Sequence, residues 1–478
     1  MRGARRQALA LLIAIVTGAL GMAGQETKTA PTQKKSPAAT KTTKSADTGD
    51  LNRDTTFSLL REAYNISRDL TSEQRIPLLV QICQISASMN SKTAEPRLVV
   101  RAAGGHMQTR TERTVPRDLT RKQRDKLRDW SEELFQLGDE FPSGSQLRLQ
   151  AETAAARAMI SVNPKRAVEL LDAIDTTPDR GGWDPRLSVV SALFNELYAR
   201  EGAAAIPDIR REALSMGDRG VYPYYAVLNL LNQVHDNRDV VRQFFADSVD
   251  YLRRGPASRQ EIFGMVSLLS SDQIRKQVED WQTQDAATQL VSQVKEYMHA
   301  QSESQGDESV GVRGLLMVVK NSLKRFAPDA VASLPDPANL GFNGSPYFMS
   351  VNANTRRKIP EPSVPDESMQ QLKAAFEASR TAMMKLNEND IHEGPQMQQT
   401  IGRTVELGAE LAQQTIQSYA PEDHAYAMLV SSSELSGVAR LGAHINPAAT
   451  LAAIRGVQDD ELKTRLLLAV ARTIEYLH

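Results

Sequence analysis

The sequence predicts an all-α protein: an irregular α/α helical array, repeat-like, solenoid or multi-helix bundle, with one long Pro-rich loop and at most a small β-hairpin. Three observations lead there. Apolar residues recur at three- and four-residue steps nearly everywhere from Leu51 onward. Aromatic residues make up only 5% of the chain, which leaves little of the material strands prefer. An Asn-Pro device that starts helices occurs twice, in matching surroundings.

In chain order, residues 1–23 read as a Sec-type secretory leader. Arg2, Arg5 and Arg6 precede the apolar stretch Ala8 to Leu20, and Gly21-Met22-Ala23 offers the small residues a signal peptidase reads. The apolar stretch is short for a span of about 20 apolar residues. The expected compartment is therefore periplasmic or secreted, with no transmembrane span once the leader is removed. Residues 24–50 contain five Lys, two Pro and no aromatic or branched aliphatic residue. Such a segment cannot bury enough apolar surface to offset its chain entropy, so it is expected to be a disordered linker.

From 51 to 327 the spacing predicts an N-terminal helical domain. Leu127, Trp130, Leu134, Leu137 and Phe141 form one apolar stripe; Leu187, Val190, Phe194 and Leu197 a second; Val240, Phe244, Val249 and Leu252 a third. Between Met89 and Asp118, Arg97–Arg101 and Met107–Val115 flank Gly104-Gly105 and are expected to pair as a hairpin. Pro328 to Pro365 holds seven prolines and is expected to be a non-helical connector, anchored by Pro346-Tyr347-Phe348-Met349. A C-terminal helical domain over 366–478 follows.

The two Asn-Pro units suggest stacked repeats. Asn163-Pro164 follows Ala156-Arg157 as Asn446-Pro447 follows Ala439-Arg440. After each, Val168, Leu171 and Ile174 correspond to Leu451, Ile454 and Val457, and new helices are expected at Arg186 and Arg465. Two copies define no period, and neither the tetratricopeptide Gly/Tyr pattern nor regular HEAT spacing is present.

Several classes of chemistry lack their residues. The chain has 57 Lys+Arg against 58 Asp+Glu, and removing the leader's three Arg leaves 54 against 58. That balance lacks the basic footprint of a nucleic-acid binder. The only cysteine, Cys83, lies in the stripe Ile76-Leu79-Ile82-Ile85-Met89 and reads as a buried structural thiol. No two of the seven histidines, His106, His235, His299, His392, His424, His444 and His478, stand three or four apart, so no helix offers a paired imidazole face. Gly311-Val312-Arg313-Gly314 lacks the Gly-Lys-Ser/Thr ending of a phosphate loop. No G-x-S-x-G elbow is present. Catalytic residues, metal ligands and cofactors are therefore expected to be none.

What remains are surfaces. Glu132-Glu133, Asp139-Glu140 and Asp459-Asp460-Glu461 are the carboxylate clusters a glycan-cleaving enzyme would use. Neighbours on a helix do not converge on one point, so a solvated face is the expected reading. Residues 97–124 are rich in Arg, with Glu112, Asp118 and Asp125 interleaved. The candidate interaction surface comprises Tyr222, Tyr224 and Tyr225 around Pro223, with Arg356, Arg357 and Lys358 in the Pro-rich connector. Packing at the start of a helix is the expected role of the tyrosines. Trp183 is expected to pack in a turn. The expected function is an exported helical scaffold that binds another envelope protein or polymer. The alternative is a cell-wall glycan hydrolase or lyase, an analogy of fold class alone with lytic transglycosylases that carry a helical superhelix. If the leader is removed as expected, mass spectrometry of the mature protein will read Gly24 as its first residue; a start at Met1 refutes cleavage after Ala23.

Overall fold

Helix α1 (Thr48–Ser67) opens the array and α2 (Ser72–Ser88) turns back beside it. The computed structural model describes residues 48–89, 96–103, 106–113, 119–174, 184–303, 309–337, 362, 367–388 and 394–476. The leader, the linker up to 47, the Gly104-Gly105 turn, Trp183, the 346–349 anchor and most of the Pro-rich connector lie outside the described residues. Strands β1 (Pro96–Ala103) and β2 (His106–Arg113) form an antiparallel hairpin whose register pairs Ala103 with His106 and Val99 with Arg110.

The rest is helical. α3 (Arg121–Gly138), α4 (Gln146–Ile160), α5 (Pro164–Ala173) and α6 (Arg186–Glu201) lead to a 3-10 turn at Gly202–Ala205. Then come α7 (Ile206–Asp218), α8 (Tyr224–Gln233), α9 (Arg238–Arg254), α10 (Arg259–Ser270), the single turn α11 (Asp272–Arg275), α12 (Asp280–Glu303), α13 (Ser309–Leu323) and the short α14 (Pro328–Ala332). After the connector follow α15 (Glu367–Glu388), α16 (Pro395–Gln417), α17 (His424–Ile445), α18 (Pro447–Arg455) and α19 (Asp460–Tyr476).

Side chains mark the starts. Thr120 and Ser258 form capping boxes with Gln123 and Glu261. Both Asn-Pro turns work alike: the Asn163 side chain accepts from Arg166 N–H at 3.2 Å and Asn446 from Ala449 N–H at 2.9 Å, each in extended backbone with proline at the next position.

Three boundaries differ from expectation. α1 begins at Thr48, ahead of Leu51. Pro328 does not exclude a helix but opens one, because a first helical residue has no use for its N–H. α19 starts at Asp460, not Arg465: Asp459 accepts from Leu462 N–H at 2.7 Å and stops the preceding turn early.

The buried side chains fall into two cores. One gathers Phe57, Leu60, Leu79, Ile82, Trp130 and Leu134 from α1–α3 with Phe376, Ile401, Leu435 and Leu466 from α15, α16, α17 and α19. The other takes Leu171, Phe194, Ile209, Phe244, Leu269, Leu290 and Leu315 from α5 through α13. α4 belongs to both: Ala151, Ala155 and Ala158 enter the first, Ala156, Met159 and Ile160 the second. Trp130 is the largest fully buried side chain of the first core, stacked on Phe57 at 5.3 Å and tilted against Tyr64 at 5.5 Å.

The first and last of the described helices meet. α1 packs along α19, and Arg455 grips Glu62, 393 residues away, through two hydrogen bonds of 2.9 and 2.8 Å. The Arg455 hydrogen bonds hold the Glu62 carboxyl below its ordinary pKa. That stabilisation is present above the unfolded-state pKa and is lost as pH falls through the lowered one. Arg455 is half exposed, so solvent screening limits the pair to about 0.5 kcal/mol. Glu62→Gln is therefore expected to lower stability by about that amount at pH 7. In urea unfolding followed across pH, the gap between the two proteins closes as the pH drops below the Glu62 pKa; a gap constant with pH refutes this account.

Candidate interaction surfaces

The acidic clusters are taken up by structure. Glu132 turns to α5, where Arg166 Nε and Nη2 donate to it at 2.7 and 2.9 Å, and the pair holds its pKa down. Its neighbour Glu133 faces the opposite way and accepts from Tyr64 Oη at 2.6 Å and from Arg75. Asp139 pairs with Arg148 at 2.8 Å. Asp459 caps α19, Asp460 meets Lys463 at 3.1 Å, and Glu461 binds Arg465 at 2.7 Å and Gln74 at 3.0 Å. Glu140 accepts from the Ser72 hydroxyl at 2.5 Å. Each carboxylate thus has a separate partner, and none of these clusters presents two carboxyls to a common point.

The buried pair Asp184–Arg186 is also self-contained. Asp184 accepts from the Arg186 backbone N–H at 2.9 Å and from its guanidinium at 2.6 and 3.0 Å, both side chains being inside. It fixes the start of α6. Among the described residues no group of three or more His, Cys, Asp or Glu could hold a metal ion, and no helix is long and apolar enough to cross a membrane.

The tyrosines separate. Tyr222 and Tyr224 are inside, at 1% and 3% exposure, and only Tyr225 presents its ring to solvent. Tyr222 stacks on Tyr251 at 4.8 Å and meets Tyr224 edge-on at 4.9 Å. Tyr224 Oη donates to the Ser248 carbonyl at 3.0 Å. Burial raises the pKa of both phenols. Gly217 makes room for Tyr251, since a Cβ there would stand 2.2 Å from its ring. This packing removes Tyr222 and Tyr224 from any accessible surface: two ring faces are worth more against each other and the core than in water. Arg356, Arg357 and Lys358 lie outside the described residues.

One concavity was not singled out by spacing. The outer side of α7 forms a depression of about 680 Å³ with Gln243 of α9. Its apolar part is Ile206, Pro207 and Leu214; its cations are Arg210, Arg211 and Arg219, and one carboxylate, Asp218, also lines it, paired with Arg254 at 3.0 Å. Carboxylates position two of them. Asp247 holds Arg210 Nε and Nη2 at 2.6 and 2.9 Å, while Arg219 reaches Asp172 at 2.6 Å and Glu212 at 3.2 Å. Arg211, whose side chain is 76% exposed, pairs with Asp208 of its own helix. Burial raises the Glu212 pKa, the nearby Asp172 adds to the effect, and Arg219 opposes it. Neither Glu212 nor Asp172 lines the depression. The legible signal was the Arg210-Arg211 doublet with Arg219 two turns on, hidden because the same helix carries three carboxylates, Asp208, Glu212 and Asp218.

No protein-family profile, curated protein or solved structure matches the chain.

The lone thiol is silent. Cys83 is fully buried beside Ser131, and desolvation pushes its pKa up to about 12. A thiolate is the reactive form, so a thiol-specific chromogenic reagent at pH 8 is expected to leave the native protein unlabelled and to react with one equivalent after unfolding in guanidinium. Labelling of the native protein at the rate of a free thiol refutes this.

Proposed function

We propose that the chain is an exported, non-catalytic helical scaffold that binds another protein or a polymer of the cell envelope, and that the depression on α7 receives an anionic part of that partner. The depression itself carries the reading. Arginine forks over an apolar floor suit carboxylate or phosphate groups borne on a larger surface, and charge-assisted bonds of this kind are roughly twice as strong as neutral ones. Asp247, Asp172 and Glu212 act from behind as positioning groups that limit the rotamers of Arg210 and Arg219. Export is supported by the leader-like order of residues 1–23, and scaffolding by the stacked helices, whose surfaces are extended and need no reaction centre.

One observation favours the second reading, a glycan-acting hydrolase or lyase. Glu212, with its raised pKa, stands near the Asp172 carboxylate, as an acid and its partner would. Against it, Arg219 pairs with both groups and the depression is lined by neither.

Crosslinking in the native cell, followed by identification of what is attached, tests both. Arg211→Glu leaves the fold intact because the side chain is solvent-exposed, and reversing one charge-assisted contact is expected to reduce the recovered partner about tenfold. Equal recovery from the variant overturns the proposed surface. Turnover of a cell-wall fragment by the pure protein, abolished in Glu212→Gln, overturns the scaffold reading in favour of the enzyme.

A further inference from the structure

α17 carries more apolar surface than its core uses. Ala425 to Val430 are six consecutive apolar residues, of which only Ala427 and Met428 are buried. Tyr426, Leu429 and Val430 are 36%, 57% and 46% exposed. Exposure continues at the same three- and four-residue steps through Ser433, Gly437, Arg440 and His444, so one side of the helix meets solvent from end to end.

Gly437 has no internal explanation. Glycine is the poorest helix former after proline, and a Cβ at 437 would meet nothing within 4 Å. Two neighbouring glycines are enforced, since a Cβ at Gly408 would strike Leu435 and Phe376 and one at Gly442 would strike Thr450, while Gly402 of α16 is open as Gly437 is. At 437 lies a groove of about 280 Å³ between α15 and α17, bordered by Met384, Val438 and Leu441 on its apolar side and by Arg380, Asn387 and Glu434 on its polar side. The projecting Leu429 and this groove lie two turns apart on one face, ~12 Å along the axis.

We propose that α17 is the interface of a homodimer, two copies packing antiparallel about a two-fold axis at Ser433, with each Leu429 seated in the groove over Gly437 of the second copy. A two-fold interface must be self-complementary about one centre, and this face is. Reflection through Ser433 sets 429 opposite 437. The same operation sets Tyr426 opposite Arg440, a ring facing a guanidinium. Tyr426 is already propped by an edge-on contact with Tyr419 at 6.2 Å. Glu422, in the 3-10 turn Pro421–Asp423 that leads into the helix, falls on the same side of the axis as the second copy's His444, near the end of α17. Ser433 and Gly437 are small enough for the two backbones to approach closely. Glu434 lies one residue from the axis, where two copies would repel; Arg380 of α15, 3.6 Å away in each copy, supplies the opposite charge. The proposal is independent of what the depression on α7 receives.

Light scattering of the full chain at graded concentrations tests it. The expected mass is twice the 52.7 kDa of one chain. Leu429→Glu, exposed in the single chain and so neutral to its folding, is expected to return the mass to one chain with an unchanged circular dichroism spectrum. Ser433→Cys is expected to form a disulfide-linked dimer under oxidising conditions, with buried Cys83 contributing none. A single-chain mass at every concentration assigns the face to some other partner and overturns the proposal. So does a dimer that survives Leu429→Glu, or one in which Ser433→Cys fails to crosslink.

Discussion

Everything in this structure leans on the double-sided burial of α4. A surface helix shows one apolar stripe; α4 is apolar on two sides, and alanine is the residue that permits it. Ala151, Ala155 and Ala158 let the first core come close, while Ala156, Met159 and Ile160 face the second. Larger residues at the alanine positions would force the layers apart, because close-packed interiors do not absorb extra methylenes. One charge sits in this wall. Glu152 is fully buried, and Arg148 reaches it at 2.7 Å while also contacting Asp139 and the Phe141 carbonyl. The turn from α3 into α4 is thereby held by a single guanidinium that also neutralises the buried carboxylate.

Arginine does comparable work elsewhere. Arg166 ties α5 to α3, Arg210 ties α7 to α9, and Arg455 ties α18 to α1. These pairs are partly exposed, so their value lies in fixing which helix faces which rather than in depth of stabilisation. It follows that a near-equal count of acids and bases is, in this fold, largely an internal matter. Among the described residues, acidic clusters that look available in the sequence are already engaged, and the surface open to partners includes Arg211, the exposed side of α17 and isolated large side chains such as Trp281.

How far residue spacing reached depended on what each feature is made of. Helical class was legible because Leu127, Trp130, Leu134 and Leu137 repeat locally, and local repetition is all a helix requires. Both Asn-Pro caps were legible for the same reason, and so was the hairpin, from its paired segments around two glycines. Spacing assigns residues to faces but is silent about which faces meet. That Phe57 shares a core with Leu466 has no signature in either segment. Tyr222 and Tyr224 show the same limit: packing at a helix start was the expected role, but the partner that buries Tyr222, Tyr251 opposite Gly217, has no signature beside them in the sequence. The α17 face had a signal, since six apolar residues in succession exceed what one side of a helix can bury.

The meeting of α1 with α19 sets an order on how the molecule can be made. Helices α5 to α14 draw their partners from nearby sequence and can consolidate while later residues are still being added. α1 can do so on one side only: Phe57 finds Trp130 of α3 early, but the side that packs on α19 has no partner until residues some four hundred positions downstream are made. Until then part of a sticky helix stays exposed. A product lacking α19 would keep that side bare permanently, so the loss of α19 is felt first at α1.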